Sequence, residues 1–353
     1  MSSTEAQSHR NGRARPLPPS PSVAIVGATG AVGAEMIGCL ESRNFPLSRL
    51  KLLASPRSAG LSAAFQGREL RIDALDAASL DDVDIALFSA GGAVSRDFAT
   101  AARRKTVVID NSSAFRMDDD VPLVVPEVNG AAALRHKGIV ANPNCTAAIA
   151  VLALWPLHRE YRIRRIVAAT YQAASGAGAA AMEELRASTE AHLQDRPYEP
   201  RVLPHPYAFN VFSHNDKVDL ESGQNGEEIK VARELRKMMA APDLRIGVTC
   251  VRVPVLRAHT IAMTVEFVRP LSPDAAREIL GAAPGVKIVD DRANNRFPMP
   301  RDATGQDDVL VGRLRTEQSD PSGHSLSMLI AGDQLRKGAA LNAVQIAELL
   351  LKR

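Results

Sequence analysis

Residues 22–33 decide the fold class, and they read Ser-Val-Ala-Ile-Val-Gly-Ala-Thr-Gly-Ala-Val-Gly. The apolar run Ser22 to Val26 is typical of a buried strand, and the helical spacing of apolar residues from Ala31 to Leu40 predicts a helix. Strand, glycine turn and helix form the first half of a βαβ unit. Such a turn directs backbone N–H groups and the positive end of a helix at one point, where the pyrophosphate of a dinucleotide can bind. A tight turn without a ligand would leave the same pattern.

Strand-like and helical runs alternate beyond this turn. Apolar runs typical of strands lie at residues 50–54, 84–89, 106–110 and 138–141, and a helical pattern covers residues 94–104. In α/β proteins this alternation corresponds to parallel strands joined by crossover helices. We therefore predict that the first part of the chain is a Rossmann-type, doubly wound parallel sheet.

A second, α+β domain is predicted from residue 162 onward. Long strand patterns cover residues 165–171, 245–253 and 260–268, and helical patterns cover residues 179–194 and 227–240. The apolar positions of a last helix at 335–350 suggest that it docks back on a sheet, which we take to be the first one. The predicted organisation is a disordered tail (1–21), a nucleotide-binding domain (22–141 plus 331–353) and a catalytic domain (142–330).

Composition excludes several classes of protein. The length of 353 residues suits two domains, and the hydrophobic and charged fractions of 45% and 24% are ordinary for a folded protein. Most of the formal charge of +3 lies in residues 1–20, so no nucleic-acid surface is expected. The sequence contains no run of about 18 apolar residues, so no membrane span is predicted.

The opening 21 residues are rich in Ser, Arg and Pro, and they cannot bury enough apolar area to offset the entropy of ordering. They lack the apolar stretch of a secretory signal, while a transit peptide remains the alternative. The three cysteines, Cys39, Cys145 and Cys250, indicate neither a disulfide framework nor a metal site. A cytoplasmic location is therefore expected.

The segment after the second predicted strand bears on the choice of dinucleotide. An NAD enzyme commonly offers a carboxylate there to the ribose hydroxyls, but residues 55–60 contain no Asp or Glu. Ser55, Arg57 and Ser58 could instead bind a 2′-phosphate through charge-assisted hydrogen bonds. The sequence therefore favours NADP over NAD, unless Arg57 is merely a solvated loop charge.

Cys145 is the candidate nucleophile. It lies in the turn Asn142 to Thr146 and directly before the helical run 147–157. The N-terminus of a helix favours the reactive thiolate and can also hold an oxyanion on an attacked carbonyl. Cys39, within a helix, and Cys250, within a strand, are predicted to be buried apolar residues.

Four segments together resemble the aspartate-semialdehyde dehydrogenase family. They are the glycine turn 27–33, the Asn-Cys-Thr turn at 144–146, the segment Thr-Tyr-Gln-Ala-Ala-Ser-Gly-Ala-Gly at 170–178, and Arg-Val-Pro-Val at 252–255 with His259 after it. They occur in order over most of the chain. The resemblance implies that Cys145 is the nucleophile and that His259 moves the proton. Ala258 departs from the pattern, since many relatives carry Gly there.

The resemblance also assigns the substrate-binding residues. Arg252 would hold the α-carboxylate and Glu227 the ammonium group of the substrate, while Lys230 and Arg116 would bind phosphate. Gln172 would orient the bound acyl group, and Asn144 would support the thiol. Without the family, Glu227 and Lys230 are an i,i+3 pair on one helix face, and Arg252 could be a surface ion pair. The implied cofactor-binding residues are Gly27, Thr29, Gly30, Ala31, Val32, Gly33, Ser55, Arg57, Ser58, Ser175 and Gly176.

The implied reaction is the NADPH-dependent reductive dephosphorylation of L-4-aspartyl phosphate to L-aspartate 4-semialdehyde through a Cys145 thioester. Its product would feed lysine, diaminopimelate, methionine and threonine biosynthesis. The resemblance further implies a homodimer, with the second domain providing the contact surface. Two alternatives stay open: N-acetyl-γ-glutamyl-phosphate reductase, whose thiol turn typically reads Gly-Cys-Tyr-Pro, and a non-catalytic NADP-binding protein on the same fold.

Overall fold

The computed structural model describes residues 16–352. The chain forms two compact units. The first contains the residues up to Pro143 and those from Ala339 onward, and the second comprises Asn144 to Gly338. The predicted boundaries fell after residues 141 and 330. The second boundary lies later because Asp333, buried in the second unit, binds the chain that follows it: its side chain accepts from Leu335 N, and its carbonyl accepts from Gly338 N.

A seven-stranded sheet forms the centre of the first unit, with the strand order β3-β4-β2-β1-β5-β6-β7. All neighbours are parallel except β3 and β4, which pair as an antiparallel hairpin. The doubly wound parallel sheet is therefore confirmed, with an unpredicted hairpin at one edge. The strands are β1 (Ser22–Val26), β2 (Arg49–Ala54), β3 (Ser62–Phe65), β4 (Arg68–Ala74), β5 (Ile85–Phe88), β6 (Val107–Asp110) and β7 (Ile139–Ala141).

The first and the last helix of this unit pack apolar side chains into its core. The labelled ones are α1 (Ala31–Ser42), α2 (Gly92–Val94), α3 (Thr100–Ala102) and α4 (Pro126–Asn129). Short 3-10 helices cover Pro56–Ser58 and Gly130–Arg135, and a π-helical turn covers Ser95–Ala99. The C-terminal helix Leu341–Leu351 contributes Val344 and Ile346 to the same core as Met36 of α1. The predicted docking of the last helix is thus confirmed.

Part of the predicted tail is ordered. Residues 1–15 lie outside the described residues, but Leu17 packs against the core of the first unit. The carbonyl of Pro21 also accepts a hydrogen bond of 3.0 Å from Ser48 N. The prediction of disorder thus differs from the structure for the last residues of the tail, because it overlooked the one leucine available for burial there.

The second unit contains a mixed seven-stranded sheet of order β12-β13-β14-β11-β8-β10-β9. The pairs β8/β10 and β12/β13 are parallel, and the other neighbours are antiparallel. The strands are β8 (Ile163–Gln172), β9 (Phe212–Ser213), β10 (Arg245–Arg252), β11 (His259–Phe267), β12 (Val286–Ile288), β13 (Val309–Thr316) and β14 (Ser325–Gly332). The helices are α5 (Cys145–Tyr161), α6 (Ala179–Leu193), α7 (Gly226–Met238), α8 (Pro273–Gly281) and α9 (Pro300–Ala303), with a 3-10 helix at Ala174–Ala177. The predicted α+β character is confirmed.

The two faces of this sheet differ in exposure. Along β11, every second residue from His259 to Phe267 is buried, and the residues between them are only half-buried. On β8, Val167 and Tyr171 are exposed. One face therefore belongs to the core, and the other lies open in the single chain. Among residues 16–352, no helix has both the length and the apolar character needed to cross a membrane.

Candidate active site

The nucleophile turn is built on the first residue of α5. The helix begins at Cys145, and Asn144 is its N-cap. The Asn144 side-chain oxygen accepts hydrogen bonds from Thr146 N at 2.9 Å and from Ala147 N at 3.1 Å. This pairing satisfies two first-turn donors that would otherwise lack an intrahelical partner. The thiol therefore stands at a helix N-terminus, as predicted, and Cys145 is only partly buried.

His259 lies beside this thiol. Its Nε2 is 3.6 Å from Cys145 Sγ, and its Nδ1 accepts a hydrogen bond of 3.0 Å from Ala173 N. Because Nδ1 is an acceptor, the neutral ring carries its proton on Nε2, facing the sulfur. His259 is the first residue of β11, one position before the start of the predicted strand pattern at residue 260.

The surroundings of His259 keep the ring neutral. Burial holds the pKa of His259 well below its usual range, and the nearby charges of Arg252 and His214 add to this effect. A second ring proton would also place an N–H group against the N–H of Ala173. The ring is therefore arranged as a hydrogen-bond donor toward the sulfur.

Glu227 connects the nucleophile turn with β8. Its Oε1 accepts from Asn144 Nδ2 at 2.8 Å and from Gln172 Nε2 at 3.1 Å, and Gln172 Oε1 accepts from the Thr170 hydroxyl at 3.0 Å. Burial alone would raise the pKa of Glu227, but His214, the Asn144 hydrogen bond and other nearby groups lower it. The carboxylate therefore fixes two side-chain amides that face the thiol region.

Lys230 is one turn further along α7. Its Nζ lies 3.9 Å from Glu227 Oε2, as expected for an i,i+3 pair, and 2.5 Å from Asp216 Oδ2. Asp216 was not predicted. The lysine therefore has two carboxylate neighbours, one buried and one half-exposed.

Arg252 is buried, so it is not a surface ion pair. Its Nε donates to Asn215 Oδ1 at 3.0 Å and its Nη1 donates to Ala173 O at 3.1 Å. A Cβ atom added to Gly176 would lie 3.0 Å from Arg252 Nη1 and 2.9 Å from His259 Cε1. Gly176, itself exposed, thus keeps the space beside the arginine and the histidine open. Its predicted neighbour Ser175 is buried and accepts a hydrogen bond from Gln334 Nε2.

Sequence reasoning missed several residues of this site. Glu234 Oε2 accepts from Asn144 N at 2.5 Å, and Glu234 is buried. It follows Glu227 by seven residues, so the two-turn spacing on one helix face was a usable signal. The polar segment 213–216, which supplies Asn215 and Asp216, gave no periodic signal. A Cβ atom on Gly338 would lie 2.8 Å from Cys145 Cβ, a contact that only the folded chain reveals.

The other two cysteines are buried, as predicted. Cys39 lies within α1 and Cys250 within β10, and neither is exposed. Burial raises the pKa of the Cys250 thiol to about 12. Of the three thiols, Cys145 alone is placed for chemistry, and no group of three or more metal-ligating side chains occurs within the described range 16–352.

The glycine turn of the first unit is tight. Gly27 has φ +92°, and a Cβ atom there would lie 2.5 Å from Ser89 O; one on Gly33 would lie 2.2 Å from Gly27 O. Gly30 is the N-cap of α1, and no described side chain caps this helix. The first-turn N–H groups of Ala31, Val32 and Gly33 thus begin an uncapped helix after the exposed Thr29, which fits a pyrophosphate.

The remaining predicted residues of the first unit lie in loops. Ser55 and Arg57 are exposed and Ser58 is half-buried, at the 3-10 helix that follows β2. Arg116 follows β6 and is buried, and its guanidinium donates to Asn111 O at 2.7 Å and to Asn142 O at 2.9 Å. Backbone carbonyls therefore hold Arg116 in a fixed position.

Comparisons with known proteins agree across nearly the whole chain. Residues 22–136 match the family described as "Semialdehyde dehydrogenase, NAD binding domain", and residues 154–337 match "Semialdehyde dehydrogenase, dimerisation domain". The chain is 54% identical to the aspartate-semialdehyde dehydrogenase of Synechocystis over 95% of this chain and 99% of that one, and 44% identical to the Bacillus subtilis enzyme over 94% and 97%. Aspartate semialdehyde dehydrogenase II from Vibrio cholerae, solved in complex with ASA, is similar with a TM-score of 0.91 and 41% identity, covering 94% of this chain and 98% of that one.

Proposed function

This chain belongs to the aspartate-semialdehyde dehydrogenase family, and on that premise we propose that Cys145 is its nucleophile and that His259 donates a hydrogen bond at the reacting centre. The chain is an oxidoreductase that reduces 4-aspartyl phosphate to aspartate 4-semialdehyde, a step of amino-acid biosynthesis. The observation that carries the assignment of residues is the 3.6 Å contact between Cys145 Sγ and His259 Nε2 at the start of α5.

The first step forms a thioester. The Cys145 thiolate attacks the acyl carbon, the bond from that carbon to the phosphate oxygen breaks, and phosphate leaves with the electron pair and takes up the proton that the thiol gave up when it ionised. The Nε2–H group of His259 donates a hydrogen bond to the oxyanion that forms on the way. Gln172, which Glu227 and Thr170 hold from both ends, orients the acyl group.

The second step releases the aldehyde. When bound, NADPH supplies a hydride to the thioester carbonyl. The carbon–sulfur bond then breaks, and the sulfur leaves as a thiolate that the Nε2–H of His259 stabilises. Since the Nδ1 atom is engaged by Ala173 N, the ring acts from its neutral form throughout this step.

The charges of the substrate match the polar side chains. Arg252, held by Asn215 and Ala173 O, binds the α-carboxylate, and the Glu227 carboxylate binds the ammonium group. Lys230 and Arg116 bind the phosphate. The buried, hydrogen-bonded state of Glu227 supports its role, because a preorganised carboxylate loses little entropy when it takes a cation.

The cofactor is proposed to be NADP. The uncapped start of α1 would hold the pyrophosphate with the backbone of Gly27 and residues 29–33. Ser55, Arg57 and Ser58 would hold the 2′-phosphate, and the absence of a carboxylate from residues 55–60 supports this choice over NAD. Ser175 and Gly176 would border the nicotinamide, since Gly176 leaves space beside His259.

The assembly is proposed to be a cytoplasmic homodimer formed through the second unit. The family match over residues 154–337 is to a dimerisation domain. The open face of the sheet supports this surface, because Val167 and Tyr171 would be buried there by a second copy.

A single-turnover experiment tests the proposed chemistry. With aspartate semialdehyde and NADP but no phosphate, the enzyme should release one equivalent of NADPH and keep one aspartyl group on Cys145, seen by intact-protein mass spectrometry. Added phosphate should discharge that group. N-acetylglutamate semialdehyde serves as the control substrate and should give no burst. A burst without any adduct on Cys145 would exclude the thioester route.

A further inference from the structure

A carboxylate of the protein, that of Asp216, lies at the N-terminus of α7. The Asp216 carboxylate lies directly over Gly226, the first residue of α7, where an added Cβ atom would come within 2.8 Å of Asp216 Oδ2. The N-terminus of a helix favours negative charge. The Lys230 ammonium, one turn further along, lies 2.5 Å from the same Oδ2 atom. Asp216 therefore occupies a place whose electrostatics suit an anion.

The two carboxylates beside Lys230 are held very differently. Glu227 is buried, and its Oε1 is fixed by the amides of Asn144 and Gln172. The Asp216 side chain is 31% exposed. Within the described residues 16–352, its carboxylate has two hydrogen-bond donors, the Lys230 ammonium and, at 3.0 Å, the adjacent Lys217 N. Of the two, Asp216 alone can leave without breaking a buried network.

A phosphate cannot use Lys230 fully while Asp216 stays in place. One ammonium already faces two carboxylates, so an anion arriving there would have to compete with both of them for the same cation. We propose that Asp216 forms an ion pair with the Lys230 ammonium in the phosphate-free enzyme and that this pair breaks when phosphate binds to Lys230. Asp216 thereby sets the affinity for phosphate. This inference rests on the proposed role of Lys230.

The exchange would matter in both directions of the reaction. While phosphate is bound, the Lys230 ammonium pairs with it. After phosphate leaves, the Asp216 carboxylate pairs with Lys230 again, so the lysine has an anionic partner in both states. The exchange weakens phosphate binding by the free energy of the Asp216–Lys230 pair. A half-exposed pair of this kind corresponds to a factor of about two to five in affinity.

The test compares four variants in the oxidative direction: Asp216→Asn, Lys230→Met, the double variant and Asp219→Asn. Asparagine keeps an oxygen for Lys217 N but removes the charge. Asp219 is an exposed carboxylate nearby that accepts Glu221 N and Ser222 N, so D219N is the matched control. Thermal unfolding verifies that each variant is folded. The KM for phosphate is measured together with the phosphate concentration that half-protects Cys145 from iodoacetamide.

We expect D216N to lower the KM for phosphate and the half-protecting concentration by about two- to fivefold, with the KM for aspartate semialdehyde unchanged. K230M should raise the KM for phosphate, the double variant should equal K230M, and D219N should equal the native enzyme. If K230M raises the KM but D216N raises it too or leaves it unchanged, the exchange is wrong and the role of Lys230 stands. If K230M leaves the KM unchanged, the role of Lys230 is wrong and the exchange falls with it.

Discussion

Two helices in this chain, α1 and α5, differ in how their N-termini are capped. At α1, the N-cap is Gly30 and no described side chain caps the helix. At α5, the N-cap Asn144 covers two first-turn N–H groups with its side chain, while its own N–H is bound by Glu234. The first start is left open, and the second is closed by the protein. An open start suits a ligand that comes and goes, whereas a closed one fixes the backbone around the proposed nucleophile, which would form and break a covalent bond.

This contrast predicts that the two helix starts can be damaged separately. Changes at α1 should weaken dinucleotide binding and leave the thiol reactive. Changes at α5 should slow the chemistry and leave dinucleotide binding unchanged. The following predictions test that separation, beginning with the largest expected effect.

Replacement of the nucleophile should give the largest loss. Cys145→Ser should lower kcat by at least about 10³-fold, because an alkoxide is much harder to generate than a thiolate. The dissociation constant for NADPH, measured by fluorescence titration, should stay the same. If kcat fell less than tenfold, or if NADPH binding weakened in parallel, the separation of the two helix starts would be refuted.

A side chain within the glycine turn should act on binding. Gly33→Ala would place a Cβ atom 2.2 Å from Gly27 O, so the turn must open. We expect the KM for NADPH to rise by about 10- to 100-fold, while iodoacetamide still labels Cys145 at the native rate. Gly38→Ala is the matched control on the same helix, since an added Cβ there meets nothing within 4 Å. Equal effects of G33A and G38A would contradict the prediction.

Removal of the cap should act on the chemistry with a smaller effect. Asn144→Ala leaves Thr146 N and Ala147 N without their acceptor and takes one donor from Glu227. A lost cap costs about 1 kcal/mol, so kcat should fall by about fivefold with the KM for NADPH unchanged. Asn144→Ser keeps an oxygen for the cap and should recover part of the rate. A serine variant as slow as the alanine variant would show that the Glu227 contact matters and the cap does not.

The pH dependence of the free energy of unfolding should reveal how strongly the candidate active site excludes protons from its buried histidines. Burial, with Arg252 nearby, lowers the pKa of His214 from 6.5 to about 4, and the pKa of His259 is also well below 6.5. Between pH 6.5 and 4 the unfolded chain binds protons that the folded chain excludes, so the free energy of unfolding should decrease as the pH falls. Each such histidine contributes up to about 1.4 kcal/mol per pH unit.

This slope can be assigned by mutation. His214→Asn should reduce it in urea titrations at several pH values, because the variant has no imidazole to protonate in the unfolded state. His192, exposed on α6, provides the control His192→Asn. An unchanged slope in H214N would mean that His214 is protonated as easily in the folded chain as in the unfolded one.

The smallest effect concerns the residue before the catalytic histidine. Ala258 is buried with φ +72°, a left-handed conformation that glycine adopts without strain. An alanine at this position therefore carries backbone strain that a glycine would avoid. Ala258→Gly should raise the free energy of unfolding by about 0.5–1 kcal/mol with activity nearly unchanged. Ala262→Gly, within β11, should instead destabilise, and equal signs would refute the strain argument.

Local signals predicted much of the fold. The bounds of β1 and the start of α1 follow from a short apolar run and the glycine turn, and Cys145 at a helix start follows from the polar turn before it. The hairpin β3–β4 was missed although Gln66 and Gly67, both with positive φ, form a two-residue turn. The charged residues of β4 masked it. Strand β14 was missed because it is buried along nearly its whole length and so shows no alternation.

The unpredicted parts of the site depend on contacts between distant residues. Glu234 reaches Asn144 across 90 positions of sequence, and Asn215 reaches Arg252 across 37. A glutamate in a helix and an asparagine in a loop look like ordinary surface residues until the fold brings them to their partners. Glu234 is buried by the fold, whereas Asn215 stays exposed. The family resemblance supplied Glu227, Lys230 and Arg252, which composition and spacing alone would have left as solvated charges.

The discontinuity of the first unit has a consequence for synthesis on the ribosome. The helix Leu341–Leu351 fills the core formed by the strands before residue 143, yet the whole second unit is translated between them. Part of the apolar core of the nascent first unit therefore stays exposed until about 200 further residues have been translated. Translation of that length takes tens of seconds. During this interval the emerging chain would be a substrate for chaperones, and a stop codon shortly before Leu341 would prolong that state indefinitely while sparing every residue of the second sheet.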